Sequence, residues 1–248
     1  MKDITLKEKE RLEDLQLHGL KIIQSDDGYR FTSDAVLLAN CVKNVKGQRI
    51  VELCGGCGVI SILIAYKQKP KSVACVEIQP RLADMAARSV EICGLGGTVE
   101  VVCADLKGVE KIIGKDFDAV AVNPPYKKLN SGAAKTNEEQ FIARQEVKTT
   151  LAGIVCQSAL LLKSKGWLYM VHQVDRLAEV LSVLREKGLE PKELTFIKAR
   201  EKEKPNLFIV RALKDGKTGL IIKEDIVMFD NLGNYTKSVK DLYGVKED

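Results

Sequence analysis

Ile50-Val51-Glu52-Leu53-Cys54-Gly55-Gly56-Cys57-Gly58-Val59 is the stretch that decides the fold. Its first four residues read as the end of a buried strand. The glycines then make a tight turn, and an apolar run from Val59 to Ala65 has helical character. A strand, a glycine turn and a helix amino terminus form the nucleotide-cofactor corner of a doubly wound α/β sheet. Three further strands follow it. Ser72 to Val76 ends in Glu77, about 20 residues past the loop, where an acid can grip both ribose hydroxyls. Val99 to Cys103 ends in Ala104-Asp105, and Phe117 to Val122 ends in Asn123. Successive parallel strands that each end in a polar residue line one crevice.

The fourth of these strands runs into Asn123-Pro124-Pro125-Tyr126. An amide, two prolines and an aromatic make poor packing material but a good site for a planar amine. The Asn123 side-chain oxygen and the Pro124 carbonyl can each accept one hydrogen of an NH2 group, while the Tyr126 ring stacks on the flat system attached to it. The prolines fix φ and donate nothing, so the turn projects acceptors. An ordinary strand-ending turn is the plainer reading, because Asn-Pro is a common turn starter. A nicotinamide dehydrogenase would account for the glycine loop and Glu77, but it leaves this tetrapeptide unexplained.

Together the glycine loop and Asn-Pro-Pro-Tyr resemble the class I S-adenosylmethionine-dependent methyltransferases, in their amino-methylating branch. Glu52, Gly56 and Gly58 fit the acid-x-Gly-x-Gly-x-Gly pattern of that family, and Cys54 stands where its first glycine is expected. More of the chain narrows the resemblance. Gly28 to Ala39 (GYRFTSDAVLLA), Ala143-Arg144-Gln145-Glu146 and Asn234-Tyr235-Thr236 look like the bacterial valine-tRNA (adenine-N6)-methyltransferase family, which modifies adenosine beside the anticodon. This likeness runs from about Arg11 to Gly244; Gln145 stands where many relatives carry histidine. It implies a Rossmann-like, mostly parallel seven-stranded sheet with an antiparallel edge strand and a short N-terminal extension. It also implies S-adenosylmethionine as cofactor, held by Phe31, Thr32, Glu52, Gly55, Gly56, Gly58, Glu77, Asp105, Leu106 and Asn123. Glu77 would take the ribose and Asp105 the adenine amino group. Asn123, Pro124 and Tyr126 would be catalytic, with tRNA as substrate. The same chemistry on protein glutamine or ribosomal RNA stays open, as does an RNA-binding protein that kept its cofactor pocket. Glutamine enzymes carry a larger helical domain before the glycine loop, and here about 50 residues precede Glu52.

Composition agrees with a single-domain enzyme of the cytoplasm. The chain has 248 residues, with 39 Lys and Arg against 34 Asp and Glu. That surplus is compatible with RNA without demanding it. Lys127, Lys128, Lys135, Arg144 and Lys148 follow the proposed base pocket in sequence; Lys127, Lys128 and Arg144 are the RNA contacts we would name. No stretch approaches a transmembrane span, and the charged start is unlike a signal peptide. Neither a membrane nor an obligate protein partner is expected. Seven cysteines, an odd number, read as reduced, packed thiols. Cys54 and Cys57 form a Cys-x-x-Cys, but no second pair or nearby histidine completes a zinc site, so no metal is expected. His18 and His172 read as structural, His172 with a possible touch on substrate, because an amine attacking a sulfonium methyl needs no strong base.

We divide the chain into an N-terminal extension (1–45), a catalytic core (46–215) and a C-terminal tail (216–248). The charge pattern of 6–18 reads as a short helix. Leu20–Gln24 and Tyr29–Phe31 read as a hairpin across Ser25-Asp26-Asp27-Gly28. Thr32-Ser33-Asp34 offers capping side chains to a helix over 35–42. Trp167–His172 reads as a fifth strand, 176–187 as a helix ended by Gly188. Leu194–Ala199 and Asn206–Leu213 are strands joined by the charged KAREKEKP loop; no helix fits between them, so they should pair antiparallel at the sheet edge. The tail reads as loosely built, with one strand over 226–229.

Overall fold

β-Branched runs without polar alternation build strands that are buried on both faces, as a parallel sheet covered by helices requires. The computed structural model describes residues 6–15, 17, 19–28, 30–126 and 150–243. In chain order its elements are β1 (Glu10–Asp14), β2 (Lys21–Ser25), α1 (Ser33–Cys41), β3 (Arg49–Leu53), α2 (Val59–Gln68), β4 (Ser72–Glu77), α3 (Pro80–Ile92), β5 (Val99–Cys103), α4 (Glu110–Ile113) and β6 (Phe117–Val122). There follow α5 (Leu151–Leu161), β7 (Leu162–Gln173), a 3-10 turn (Val174–Arg176), α6 (Leu177–Glu186), β8 (Leu189–Lys198), β9 (Leu207–Lys214), β10 (Ile221–Ile222), β11 (Ile226–Val227) and α7 (Lys237–Tyr243).

The main sheet has the spatial order β5-β4-β3-β6-β7-β9-β8. Pairing is parallel from β5 through β7, and β9 runs antiparallel to both β7 and β8. Two short strands, β10 and β11, add on to β8 in parallel. The chain leaves β3 in one direction for β4 and β5, then returns to β3's other side with β6. That reversal is a topological switch point, where the carboxyl ends of neighbouring strands open a crevice. Register sets what lines it. Leu53 pairs with Val76 on one side and Val122 on the other, so Cys54, Glu77 and Asn123 leave the sheet at one level. Glu77 in turn pairs with Cys103, two residues before Asp105.

Helices cover both faces. Leu37, Leu38, Ile62 and Ile64 of α1 and α2 pack on one side of the sheet, and Ile154, Val155, Val180 and Leu184 of α5 and α6 on the other. All eight are fully buried. At about 25 cal/mol per Å² of apolar surface, each such side chain contributes roughly 1.5–3 kcal/mol.

The N-terminal extension corrects two sequence expectations. Residues 10–14 are a strand, not part of a helix, and they pair antiparallel with β2, Glu10 opposite Ser25. Charge spacing over ERLED fits either period; contacts with α3 decide it. Leu12 packs against the cluster of Ile23, Leu82 and Met85. Arg88 donates to both carboxylate oxygens of Glu10 at 2.9 and 2.6 Å, and the Ser89 hydroxyl accepts the Ile23 N–H at 2.8 Å. β2 pairs with β1, and among the described residues no strand pairs with β2 across the Asp27-Gly28 turn; Tyr29 lies outside them. The Ser25 hydroxyl accepts the Gly28 N–H, and Arg81 ties Ser25 and Asp27 to α3; Arg30 and Phe31 are not in a strand.

The tail is also better built than its composition implies. The Thr236 hydroxyl donates to the Val227 carbonyl at 2.7 Å, just ahead of α7. Val239 is fully buried, and Lys67 of α2 donates to the Leu242 carbonyl at 2.6 Å. Phe229, Tyr235 and Tyr243 stack in a column with ring centroids 5.2 and 5.4 Å apart. Among the described residues, no helix is long and apolar enough to cross a membrane.

Candidate active site

The loop after β3 turns through three residues with positive φ: Cys54 (58°), Gly56 (54°) and Gly58 (81°). Left-handed backbone costs a non-glycine residue about 1–2 kcal/mol, which is why a glycine is the usual occupant at the first of these positions. Gly55 is needed for room instead. A Cβ there would sit 2.4 Å from Cys75 Sγ, and the Gly55 N–H donates to the Val76 carbonyl at 2.9 Å, clipping the loop onto β4. Gly58 opens α2, where a Cβ would come within 3.1 Å of Ala86 Cβ.

The two acids at the strand ends do different work. Glu77 is buried, its Oε2 accepting the Gly56 N–H at 2.8 Å and its Oε1 the Gln79 N–H at 2.9 Å. A carboxylate has about four lone-pair sites, so this geometry is compatible with a diol as well. Glu52 is 1% exposed and lies under the loop. Its Oε2 accepts the Ser61 N–H at 2.8 Å and the Ser61 hydroxyl, bracing β3 against α2. Burial pushes its carboxyl up to about 7, outweighing the Ser61 hydrogen bonds. In this position Glu52 ties the loop's flanking strand to the start of α2. Asp105 is exposed beyond β5 and accepts the Lys107 N–H at 2.9 Å, with Leu106 buried behind it. Phe31 is half-buried against the α1 side of the core, and Thr32 is exposed.

Asn123 and Tyr126 are half-buried at the end of β6, with Pro124 buried between them. The Tyr126 hydroxyl lies 2.6 Å from Asn123 Oδ1 and also hydrogen-bonds Asp34 Oδ2. Asp34 is 5% exposed in the first turn of α1. Its Oδ1 accepts the Ala35 N–H at 2.9 Å and the Thr32 hydroxyl. Thr32 thus makes no side-chain cap to the helix backbone, contrary to the capping expectation. Asp34 belongs to a segment we singled out, but its role depends on a partner 92 residues away. Arg176, 8% exposed, was not anticipated either; it donates to the Tyr126 carbonyl at 3.2 Å and pairs with Glu179 at 2.8 Å.

Residues 29–187 match the methyltransferase small domain family. The chain belongs to that family. It is 25% identical over 191 residues to the tRNA1(Val) (adenine(37)-N6)-methyltransferase of Porphyromonas gingivalis, the match covering 74% of each chain. It is 26% identical over 148 residues to the release factor glutamine methyltransferase of Xylella fastidiosa, covering 57% of this chain and 53% of that one. Among solved structures, a protein described as a predicted O-methyltransferase from Agrobacterium tumefaciens superposes with a TM-score of 0.69 at 23% identity, covering 85% of this chain and 95% of the other. That likeness is one of fold.

In this methyltransferase His172 sits near the end of β7, fully buried, with its ring centroid 5.3 Å from that of Tyr126. Its Nδ1 accepts the Gln173 N–H at 2.8 Å, which leaves the hydrogen on Nε2. Burial first, then the nearby Arg176 charge, lower its pKa to about 4. The ring is neutral at physiological pH and a poor proton acceptor, and among the described residues its buried Nε2 has no hydrogen-bond partner. Burial pushes the Cys57 thiol of the Cys54-x-x-Cys57 pair up to about 12 and raises Cys54 as well, which disfavours the thiolate form. Among the described residues no group of three or more His, Cys, Asp or Glu could hold a metal ion. Lys127, Lys128, Lys135, Arg144, Gln145 and Lys148, together with His18, lie outside the described residues.

Proposed function

We propose that this methyltransferase uses S-adenosylmethionine to methylate the 6-amino group of an adenosine in tRNA, in the anticodon loop beside the anticodon. The observation that carries this reading is the placement of Asn123 and Tyr126 at the level of the glycine loop and Glu77, across the β3 switch point. The donor set suits the cofactor: a glycine-turned loop, a buried carboxylate able to take a ribose diol and an exposed acid one strand over. Gly55, Gly56 and Gly58 would let the methionine part approach the backbone, Glu77 would hold the ribose and Asp105 the adenine amino group. When bound, S-adenosylmethionine supplies an electrophilic methyl group on its sulfonium.

An aromatic amine is a weak nucleophile because its lone pair is delocalised into the ring. Acceptors at Asn123 and Pro124 favour a more pyramidal nitrogen, with its lone pair turned toward the methyl. The Tyr126 ring would stack on the unstacked adenine. Orientation is then the main catalytic contribution. No base is required before attack, which fits a neutral His172. Lys127, Lys128 and Arg144, which follow Tyr126 in sequence, would meet tRNA phosphates. A planar carboxamide would fit the same acceptors, and the likeness to a glutamine methyltransferase favours that as the second reading.

Nucleoside mass spectrometry of tRNA treated with purified protein tests the proposal. We expect 6-methyladenosine. Recovery of 2-methylguanosine alone would overturn the substrate while sparing the chemistry, and methylation of a release-factor glutamine with unmodified tRNA would favour the second reading.

A further inference from the structure

The Tyr126 hydroxyl faces two acceptors, Asp34 Oδ2 and Asn123 Oδ1, with the second at 2.6 Å. A phenol carries one hydrogen and can donate to only one of them. Without a hydrogen between them, two oxygens at that separation repel. Asp34 is the stronger claimant, because bonds to a charged acceptor are roughly twice as strong as neutral ones. Its orientation is also fixed: Oδ1 is held by the Ala35 N–H and the Thr32 hydroxyl, so Oδ2 must face the phenol. The two ends of an Asn amide are nearly the same size, and the hydrogen-bond network decides which end points where.

We propose that Asp34 is a positioning residue that sets the direction of this chain. Asp34 takes the Tyr126 hydrogen, and the phenolic oxygen then accepts a hydrogen from the Asn123 NH2. The Asn123 carbonyl oxygen is thereby turned away from Tyr126 and left for the target amine. The inference rests on the reading of Asn123 as an acceptor for that amine. It explains why that reading survives a structure in which Asn123 already has a neighbour. It also gives Thr32-x-Asp34 a function at the far end of a 92-residue separation from Tyr126.

Asp34→Asn tests this with little change of shape. The Ala35 N–H requires an acceptor, so the new amide must keep its oxygen there and turn its NH2 toward Tyr126. The phenol would then accept from residue 34 and donate to Asn123, capturing the carbonyl oxygen that substrate needs. The expected result is a kcat on tRNA lower by about 10- to 100-fold, with the S-adenosylmethionine KM within about twofold of wild type. Thermal melting of each variant checks that it is folded. In a Tyr126→Phe background, which keeps the stacking ring but removes the hydroxyl, Asp34→Asn should cost nothing further. Equal losses in both backgrounds, or a wild-type kcat for Asp34→Asn, would overturn the proposal.

A second readout needs no RNA. In nitrogen-15-labelled enzyme the Asn123 side-chain amide should show one downfield, slowly exchanging hydrogen, lost in both Asp34→Asn and Tyr126→Phe. A signal absent from wild type, or unchanged in Asp34→Asn, refutes the inference. Failure of wild type to methylate tRNA would instead count against the proposed substrate, and the amide spectrum would still decide the role of Asp34.

Discussion

Replacing Glu52 with Gln should stabilise the protein at pH 8, and by considerably less at pH 5. Glu52 is 1% exposed, and burial raises its carboxyl from 4.5 to about 7. The folded state therefore holds this proton more tightly than the unfolded chain. Stability from Glu52 is complete below about 4.5 and is lost as pH rises through 7. At pH 8 the residue is ionised in both states, and the folded protein carries the whole cost of the buried charge. At about 1.4 kcal/mol per pH unit, the gap between 4.5 and about 7 amounts to about 3 kcal/mol. At pH 5 the same linkage leaves only about 1 kcal/mol. Gln cannot ionise, yet it keeps an oxygen for the Ser61 N–H and hydroxyl. The variant should thus gain about 2 kcal/mol between pH 5 and pH 8 relative to wild type, or about 4–8 °C in Tm for a domain of this size. Paired urea melts at pH 5, 6, 7 and 8 measure it; His172 titrates in both proteins and cancels. An offset independent of pH, or one that grows toward acid, would refute the argument from burial.

Glu77→Gln should weaken S-adenosylmethionine binding by about tenfold or more, since a charge-assisted hydrogen bond is worth about 1.5–3 kcal/mol; unchanged affinity by calorimetry would return Glu77 to a purely structural role. Asn123→Ala should leave cofactor affinity near wild type and lower kcat by about two to three powers of ten, the scale for losing one oriented partner at a reacting centre; a wild-type single-turnover rate would sink the acceptor model. Cys54→Gly relieves a left-handed residue at φ 58°. Strain relief of about 1–2 kcal/mol, less about 0.4–1 for the freer unfolded chain, leaves a net gain near 1 kcal/mol. A drop in Tm on differential scanning calorimetry would show that the thiol packs more favourably than its backbone suggests.

The strands β3, β4, β5 and β6 and the glycine loop were legible in the sequence because their causes are local. Apolar runs such as Val73–Val76 and Phe117–Val122 can only be satisfied by burial, and the turn after Leu53 needs residues without bulk. The polar residues that follow, Glu77, Asp105 and Asn123, stand out because each interrupts such a run. Antiparallel pairing of β8 with β9 was equally legible, since KAREKEKP is too short to carry a crossover. What local pattern could not decide was anything settled by a distant partner. Glu10–Asp14 has a charge spacing that suits a helix, but α3 holds it as a strand, Arg88 bonding Glu10 and Leu82 clustering with Leu12, while Ser89 bonds the paired strand at Ile23. Thr236 and Val239 gain a helix for the tail because α2 offers Lys67 to its last turn. Glu52 and Glu77 look alike in the sequence, each an acid at the end of an apolar strand. Only the packing shows that Ser61 is held by one and the Gly56 N–H by the other. Asp34 reads as a helix cap until Tyr126 is brought to it. Hydrogen bonds depend on angstroms in space, and four strands, β3 to β6, separate these two oxygens along the chain.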